Sequence, residues 1–159
     1  MELYKKKENI NGKEIKIKIW DTAGQEQYRS LTRNFFHSTE GILLIYDITN
    51  MNSFQQVKYW MQCIQDNASV NVKVVLIGSK VDLEKDRVVS TENGQALANN
   101  LKIKFYETSA LKNINIQEAV IDLTTQVLSV KKEINDAIKL KQLSDENDLS
   151  KHQAQGCRC

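Results

Sequence analysis

The stretch 20–26, WDTAGQE, combines three residue types that can handle a phosphate group and a metal ion. Asp21 can bind a metal ion directly or through a water molecule. Gly24 lets a backbone N–H approach a phosphate oxygen because no side chain stands in the way. Gln25 can orient an attacking water molecule. An Asp-x-x-Gly pattern alone is more typical of a polar turn after a strand, but the full seven-residue stretch favours a phosphate and metal site.

Two further polar stretches, each after a predicted strand, offer groups that can recognise a nucleobase. Asp82 can accept two hydrogen bonds from a base with adjacent N–H donors, such as guanine, and Lys80 can lay its aliphatic stem along the ring. In the later stretch, the backbone N–H of Ala110 can donate to a carbonyl oxygen of the same base. Each stretch alone is also consistent with a polar loop, so the interpretation depends on the fold that brings the stretches together.

An antiparallel hairpin is predicted at the start of the chain. Residues 3–10 have strand composition, and their run of three lysines indicates an exposed edge. Asn11 and Gly12 tolerate positive φ and therefore predict a two-residue turn. Over residues 14–20 isoleucines alternate with charged residues, which is typical of a strand with one face in water.

Short apolar runs farther along the chain predict a mostly parallel sheet, because such runs are typical of strands buried on both faces. Helical patterns alternate with these runs, so we expect an α/β fold with helices on both faces of the sheet. Ser53 with Gln56, and Asn115 with Glu118, are the predicted caps of two helices. The predicted strands are 41–47, 72–78 and 103–106, and the helical patterns cover 54–64, 91–101 and 116–127.

Together, the three polar stretches and their spacing resemble the small Ras-like GTPases, and most nearly the Rab family. The resemblance extends over residues 3–132. It implies the Ras-like P-loop NTPase fold, with a mostly parallel sheet, an antiparallel edge hairpin and helices on both faces. Four further segments carry the resemblance: KIKIW at 16–20, QYRSLT at 27–32, ILLIYDIT at 42–49 and QVKYWMQCI at 56–64.

The resemblance also implies a role for each candidate residue. Asp21 would bind Mg²⁺ and, with Gly24, would belong to the second switch region, which senses the γ-phosphate of GTP. Gln25 would be the catalytic residue that positions water. The GTP-binding residues implied in this way are Asp21, Gly24, Ser79, Lys80, Asp82, Ser109, Ala110 and Leu111.

Three residues depart from the Rab pattern. Ser79 stands where the family prefers Asn, whose amide ties the guanine loop to the phosphate-binding loop. Leu111 stands where Lys is usual, and Leu3 stands where a Phe packs with Trp20 and Phe35. We expect the first two differences to affect guanine affinity and the third to affect the choice of effector.

The phosphate-binding loop Gly-x-x-x-x-Gly-Lys-Ser/Thr occurs nowhere in the 159 residues. The first switch, the first strand and the first helix of the Ras-like fold are also missing, so we expect the sequence to begin inside a longer Rab-type protein. In the family, the first strand lies between the strand that ends at Trp20 and the one that begins at Gly41. We therefore expect those two strands to face a gap, which leaves backbone groups unpaired at about 1–3 kcal/mol each.

The resemblance implies a small GTPase that binds GTP or GDP with Mg²⁺, hydrolyses GTP and regulates intracellular vesicle trafficking. Its partners by family are effectors, exchange factors, GTPase-activating proteins, the escort protein and the GDP-dissociation inhibitor. Without the phosphate-binding loop, this chain alone is expected to show neither Mg²⁺-dependent nucleotide binding nor hydrolysis. The alternative is a nucleotide-free module that binds escort or effector proteins.

The overall composition excludes several other classes of protein. The 22 Lys and Arg nearly balance the 20 Asp and Glu, which argues against nucleic acid as a partner. No apolar run approaches the roughly 20 residues that a membrane-spanning helix needs. The 3 cysteines form no disulfide framework, which indicates a reducing, cytoplasmic location. We expect a monomer.

The polar C-terminal region is predicted to be a mobile tail. We place a Rab-like domain at 1–132 and a hypervariable tail at 133–159. Its charges nearly balance, so electrostatics do not supply a second membrane signal. Cys157 and Cys159 resemble the Cys-x-Cys ending that receives two geranylgeranyl groups in Rab proteins, and a pair of free thiols is the alternative. Two lipids would anchor the protein stably to the cytosolic face of intracellular membranes, which one lipid does not.

Overall fold

The regular elements lie within the part of the chain that this computed structural model describes. That part comprises the backbone over residues 2–21 and 36–154 and the side chains over 3–21 and 36–139. The elements are β1 (Glu2–Ile10), β2 (Lys13–Asp21), β3 (Gly41–Asp47), α1 (Met51–Asn67), β4 (Lys73–Ser79), a 3₁₀ helix (Val81–Asp86), α2 (Thr91–Leu101), β5 (Lys104–Thr108) and α3 (Ile116–Ala154).

The hairpin of β1 and β2 has the predicted tight turn. Asn11 and Gly12 have φ values of 52° and 77°, the left-handed region that a two-residue hairpin turn requires. The strands pair antiparallel from Ile10↔Lys13 back to Glu2↔Asp21. The isoleucines of β2 are half-buried and its lysines are exposed, which confirms the predicted alternation.

Strands β3, β4 and β5 form a parallel sheet in the order β3–β4–β5. The central strand, β4, is the most buried, with Val75 and Leu76 fully inaccessible to solvent. The register places Asp47 opposite Ser79, and Ser79 opposite Thr108. The three strands therefore end side by side, and the loops that follow them leave the same edge of the sheet.

Helices cover both faces of this sheet, as the sequence predicts. Alternate residues of β4 belong to two different clusters, because successive side chains of a strand point to opposite faces. Val74 and Leu76 pack in a cluster with α1 and α2, whereas Val75 and Ile77 pack with Ala119 of α3. The first cluster has these further buried members: Phe36, Leu44, Tyr46, Ile48, Val57, Cys63, Ile64, Val89, Leu97 and Ala98.

The hairpin and the parallel sheet are separate sheets. Over the described residues, β2 does not pair with β3. The interruption that was predicted between these strands is thus confirmed. The hairpin is correspondingly a two-stranded sheet of its own, and the parallel sheet, the antiparallel hairpin and the helices agree with the predicted Ras-like arrangement without its first strand.

Helix α1 begins earlier than its predicted cap. Its N-cap is Asn50, whose side chain accepts a hydrogen bond of 3.2 Å from the backbone N–H of Ser53. Ser53 was predicted to cap the helix with Gln56. Its hydroxyl instead donates to the backbone carbonyl of Asn50 at 2.7 Å and accepts from the N–H of Asp47 at 3.0 Å, so Ser53 ties the end of β3 to α1.

The predicted capping box of α3 is also wrong. The helix does begin directly after Asn115, but Asn115 has a positive φ of 55°, and an N-cap residue normally has extended backbone. The Asn115 side-chain amide donates to the backbone carbonyl of Glu107 at 2.8 Å. The Asn115 side chain therefore fixes the loop after β5. The expected partner of Asn115 was Glu118.

Helix α3 continues to Ala154, through a segment that was predicted to lack regular structure. The sequence contains no proline and no glycine between Gly94 and Gly156, so no residue type that ends helices interrupts this stretch. The chain divides into two units, Met1–Val127 and Leu128–Cys159. No helix among the described residues combines the length and the apolar character needed to cross a membrane.

Candidate functional site

The loops that follow β4 and β5 carry most of the candidate residues. Both loops leave the same edge of the sheet because Ser79 and Thr108, the last residues of their strands, lie opposite each other in register. Asp47, at the end of β3, is the neighbour of Ser79 on the other side. The carboxyl ends of parallel strands are where ligands bind in open α/β sheets.

Asp82 is held by a hydrogen bond from a fully buried serine. The Ser109 hydroxyl donates to Oδ1 of Asp82 and accepts from the backbone N–H of Lys112 at 3.0 Å. The Ser109 backbone is itself fixed, because it exchanges two hydrogen bonds with Ile114. Within the described residues, Oδ2 of Asp82 has no donor. The carboxylate is thus oriented on one side and available on the other.

Lys80 is fixed by the end of the neighbouring strand. Its backbone has a positive φ of 68°, and its Nζ lies 2.6 Å from Oδ2 of Asp47. Thr49 donates to Oδ1 of Asp47 through its backbone N–H at 2.8 Å and its hydroxyl at 2.7 Å.

The two charged groups of this pair shift each other's pKa. Partial burial tends to raise the pKa of Asp47, but the hydrogen bonds from Lys80 and Thr49 outweigh it and lower that pKa. The hydrogen bond to Asp47 raises the pKa of Lys80. Both groups therefore remain charged near neutral pH. Sequence reasoning did not single out Asp47, although its position at the end of an apolar strand was a signal.

Ser79 connects β4 to β3. Its hydroxyl donates to the backbone carbonyl of Tyr46 at 2.8 Å, and its own carbonyl accepts from the N–H of Ile48 at 3.1 Å. The Ser79 side chain is therefore engaged in a hydrogen bond to the neighbouring strand. At this position the Rab pattern has an asparagine that reaches the phosphate-binding loop.

An arginine missed in the sequence joins the two loops. Arg87 donates from Nη1 to Oε1 of Glu107 at 2.6 Å and from Nη2 to Oε2 at 3.1 Å. Its Nη1 also donates to the carbonyl of Val89, and its Nε donates to Glu84. Hydrogen bonds to Glu107 and Glu84 raise the pKa of Arg87. Because Arg87 follows the Asp82 segment and Glu107 precedes Ser109, this ion pair fixes the two loops relative to each other.

The remaining residues of the second loop face solvent. Leu111 is 83% exposed, and Ala110 is also exposed. No acceptor within residues 2–21 and 36–154 takes the backbone N–H of Ala110. The loop therefore presents an unused donor and an apolar side chain close in sequence to Ser109.

The phosphate half of the predicted site is described only at Asp21. This residue ends β2 and is exposed. Gly24 and Gln25 lie outside the described residues, as do Cys157 and Cys159. No group of three metal-binding side chains occurs in the described part of the chain. The structure therefore brings together the residues predicted to recognise a base, and the predicted phosphate and metal contacts stay predictions.

Comparison with known protein families matches residues 1–129 to the Ras family. The GTP-binding protein yptV2 of Volvox carteri is 47% identical over 125 residues, which are 78% of this chain and 58% of that protein. The GTP-binding protein ypt2 of Schizosaccharomyces pombe is 47% identical over 118 residues, which are 74% of this chain and 59% of that protein.

The Ras-related protein Rab-8 of Diplobatis ommata is 42% identical over 140 residues, which are 88% of this chain and 62% of that protein. The chain thus spans about three fifths of the length of these curated relatives. The family match covers the parallel sheet, the hairpin and both loops of the candidate site. The chain therefore belongs to the Ras family, as a small GTPase of the Rab type.

Proposed function

We propose that this chain supplies the base-recognising part of a Rab-type switch that binds GTP and GDP and hydrolyses GTP. The observation that carries the proposal is the pairing of Asp82 with the buried Ser109, which orients a carboxylate at the ligand-binding edge of the sheet. A fixed carboxylate that accepts two adjacent N–H donors distinguishes guanine from adenine, because adenine presents no such pair of donors.

The described residues fit a guanine ring. The carboxylate of Asp82 would accept hydrogen bonds from the ring N–H and the exocyclic amino group. The N–H of Ala110 would donate to the ring carbonyl. Lys80, whose ammonium is held by Asp47, and the exposed Leu111 would cover the faces of the ring with aliphatic surface.

The described residues do not complete a site for Mg²⁺ or for the phosphates. Asp21 alone represents that site, and a Mg²⁺ ion in a nucleotide complex needs phosphate oxygens and further ligands. Gly24 and Gln25 are proposed to sense the γ-phosphate and to place water. We therefore expect the chain by itself to bind guanine through the base only, without a requirement for Mg²⁺.

A titration with guanine nucleotides, followed by NMR or equilibrium dialysis, tests this function. We expect GMP, GDP and GTP to bind with similar, weak affinity, and extension of the chain with the phosphate-loop segment of a relative to add tight, Mg²⁺-dependent binding. Asp82→Asn should weaken guanine binding about tenfold or more and favour xanthine, whose carbonyl accepts from the new amide. Asp86→Asn, on the same segment, is the matched control.

Two results would contradict the proposal. Guanine binding that Asp82→Asn leaves unchanged would exclude the proposed base contact. Failure of the extended chain to bind nucleotide would favour the alternative, a nucleotide-free module that binds escort or effector proteins.

We further propose that Cys157 and Cys159 receive geranylgeranyl groups and that the protein acts in vesicle trafficking at the cytosolic face of membranes. The support is the Rab-type match and the Cys-x-Cys sequence at the end of the chain. Effectors, exchange factors, GTPase-activating proteins, escort protein and GDP-dissociation inhibitor are the proposed partners. In a prenylation assay, the chain should gain two lipids, each lost with one Cys→Ser change. A chain that gains none would contradict this role.

A further inference from the structure

One face of the β1–β2 hairpin carries four lysines in two adjacent cross-strand pairs. The register places Lys5 opposite Lys18 and Lys7 opposite Lys16. Because side chains alternate along a strand, all four lie on the same face, and all four are exposed. We call this group, Lys5, Lys7, Lys16 and Lys18, the lysine face.

The charge of the lysine face is largely uncompensated. Directly opposite side chains in an antiparallel pair lie about 5 Å apart at their Cβ atoms, so like charges there repel and destabilise the hairpin. The Lys7 ammonium is 3.0 Å from Oε1 of Glu14, in a pair that is exposed on both sides. In the described part of the chain, no carboxylate forms an ion pair with Lys5, Lys16 or Lys18. The face thus holds a local excess of positive charge in a protein whose net charge is only +2.

The same face ends in two apolar side chains. Leu3 and Trp20 form the next pair along the hairpin and are 38% and 48% exposed. Tryptophan and lysine side by side on a flat surface are suited to the boundary between water and lipid headgroups, where the ring lies among the headgroups and the ammonium groups meet anionic charge. Lysine carries a compact point charge, whereas arginine has a planar guanidinium that binds carboxylate or phosphate in a bidentate geometry. A group of lysines is therefore better suited to a diffuse anionic surface than to a single ligand of defined geometry.

We propose that the lysine face is an electrostatic membrane-binding surface that lies on bilayers containing anionic lipids, with Trp20 and Leu3 at headgroup level. The charge complementarity between four exposed lysines on one face of the hairpin and an anionic lipid surface selects this partner. Binding requires neither nucleotide nor prenyl groups, so it is independent of the function proposed above.

Vesicle co-sedimentation with the full, unprenylated chain tests this surface. We expect binding to vesicles of phosphatidylcholine with 30% phosphatidylserine at low salt, weakened strongly by raising the salt concentration, and none to pure phosphatidylcholine. Each lysine near an anionic surface contributes about a fivefold change in partitioning. The variant Lys5→Gln, Lys7→Gln, Lys16→Gln, Lys18→Gln should therefore bind at least about a hundredfold more weakly.

A second variant with the same change in net charge is the control. Lys58→Gln, Lys85→Gln, Lys102→Gln, Lys112→Gln removes four exposed lysines outside the hairpin. We expect this control to bind within a few-fold of the unchanged chain. Circular dichroism should show that both variants stay folded, since removal of the opposed lysines relieves repulsion.

Tryptophan emission reports whether the hairpin face that carries Trp20 lies against the vesicle surface. The vesicle-induced blue shift should disappear in Trp20→Phe and persist in Trp60→Phe. Equal loss of binding in the two lysine variants, equal binding to neutral vesicles, or a blue shift retained in Trp20→Phe would overturn the proposal. Binding to polyglutamate but not to the charged vesicles would assign the face to acidic protein segments and would also overturn it.

Discussion

The parallel sheet and the hairpin are built from strands of similar length, but they place their side chains in opposite environments. In the central strand β4, residues 74–78 are all buried between helices on both faces. In the described hairpin, Ile10 alone is buried, and one face consists mainly of lysines. Apolar packing therefore determines the stability of the parallel sheet, whereas charge has the larger influence on the hairpin. The two regions should respond differently to the same kinds of substitution.

The largest difference is expected for truncation of apolar side chains. Leu76→Ala removes a fully buried side chain from the cluster between the sheet, α1 and α2, and should lower the free energy of unfolding by about 2–5 kcal/mol. Ile17→Ala, at a half-buried position of β2, should cost only about 1 kcal/mol. Urea denaturation followed by circular dichroism measures both values. A cost for Ile17→Ala as large as that for Leu76→Ala would contradict the contrast.

A smaller effect is expected at Tyr46, a buried residue near the end of β3. The Tyr46 hydroxyl is buried and has no hydrogen-bond partner among the described residues. Its ring packs edge-on against Phe54 with ring centroids 5.0 Å apart. Tyr46→Phe removes an unsatisfied group and keeps the ring, so it should raise the free energy of unfolding by about 1 kcal/mol at pH 7.

The same substitution has a predictable pH dependence. Burial and, secondarily, the charge of Glu107 raise the pKa of Tyr46 to about 12, from 10.0. Because the folded-state pKa is the higher one, the stability that this proton provides is fully present below pH 10 and is lost as the pH rises towards 12. Between pH 9 and pH 11 the unchanged chain should lose about 1.4 kcal/mol more than Tyr46→Phe. Equal losses in the two proteins would contradict the assigned environment.

The smallest effect is expected in the hairpin. Lys18→Glu converts the opposed pair with Lys5 into an attractive pair and should stabilise the hairpin by about 0.2–1 kcal/mol. Lys58→Glu, on the exposed surface of α1, makes the same charge change without an opposed lysine in register. Amide hydrogen exchange should show slower exchange of the β1 and β2 amides in Lys18→Glu only. Faster exchange would indicate that repulsion between Lys5 and Lys18 does not limit the stability of the hairpin.

The strands and helices were predictable where the hydrophobic periodicity was strong. Strand β3 lies at its predicted bounds, 41–47. Helix α2 also lies at its predicted bounds, 91–101, although its helical pattern was the weakest of the three, and its N-cap, Ser90, was not predicted. The caps were less predictable. Asn50 and Ser53 are both common N-cap residues, and only the contact of Ser53 with Asp47 decides between them.

The candidate site was predictable where neighbouring strands bring short segments together. The Rab resemblance predicted that the segments of Asp82 and Ser109 serve the same base, and the pairing of β4 with β5 places them side by side. The hydrogen bond between the two side chains was not predicted. The bidentate pair of Arg87 and Glu107 was not predictable, since 20 residues separate its members and many carboxylates are equally plausible partners.

The ion pair between Arg87 and Glu107 has a consequence for the entropy of ligand binding. Together with the hydrogen bond from Ser109 to Asp82, it fixes both loops through contacts within the protein. A ligand that enters loops of this kind immobilises few additional side chains, and each one avoided saves about 0.5–1.5 kcal/mol of ordering cost. At the proposed base site, these contacts would therefore reduce the conformational entropy that is lost when a base binds.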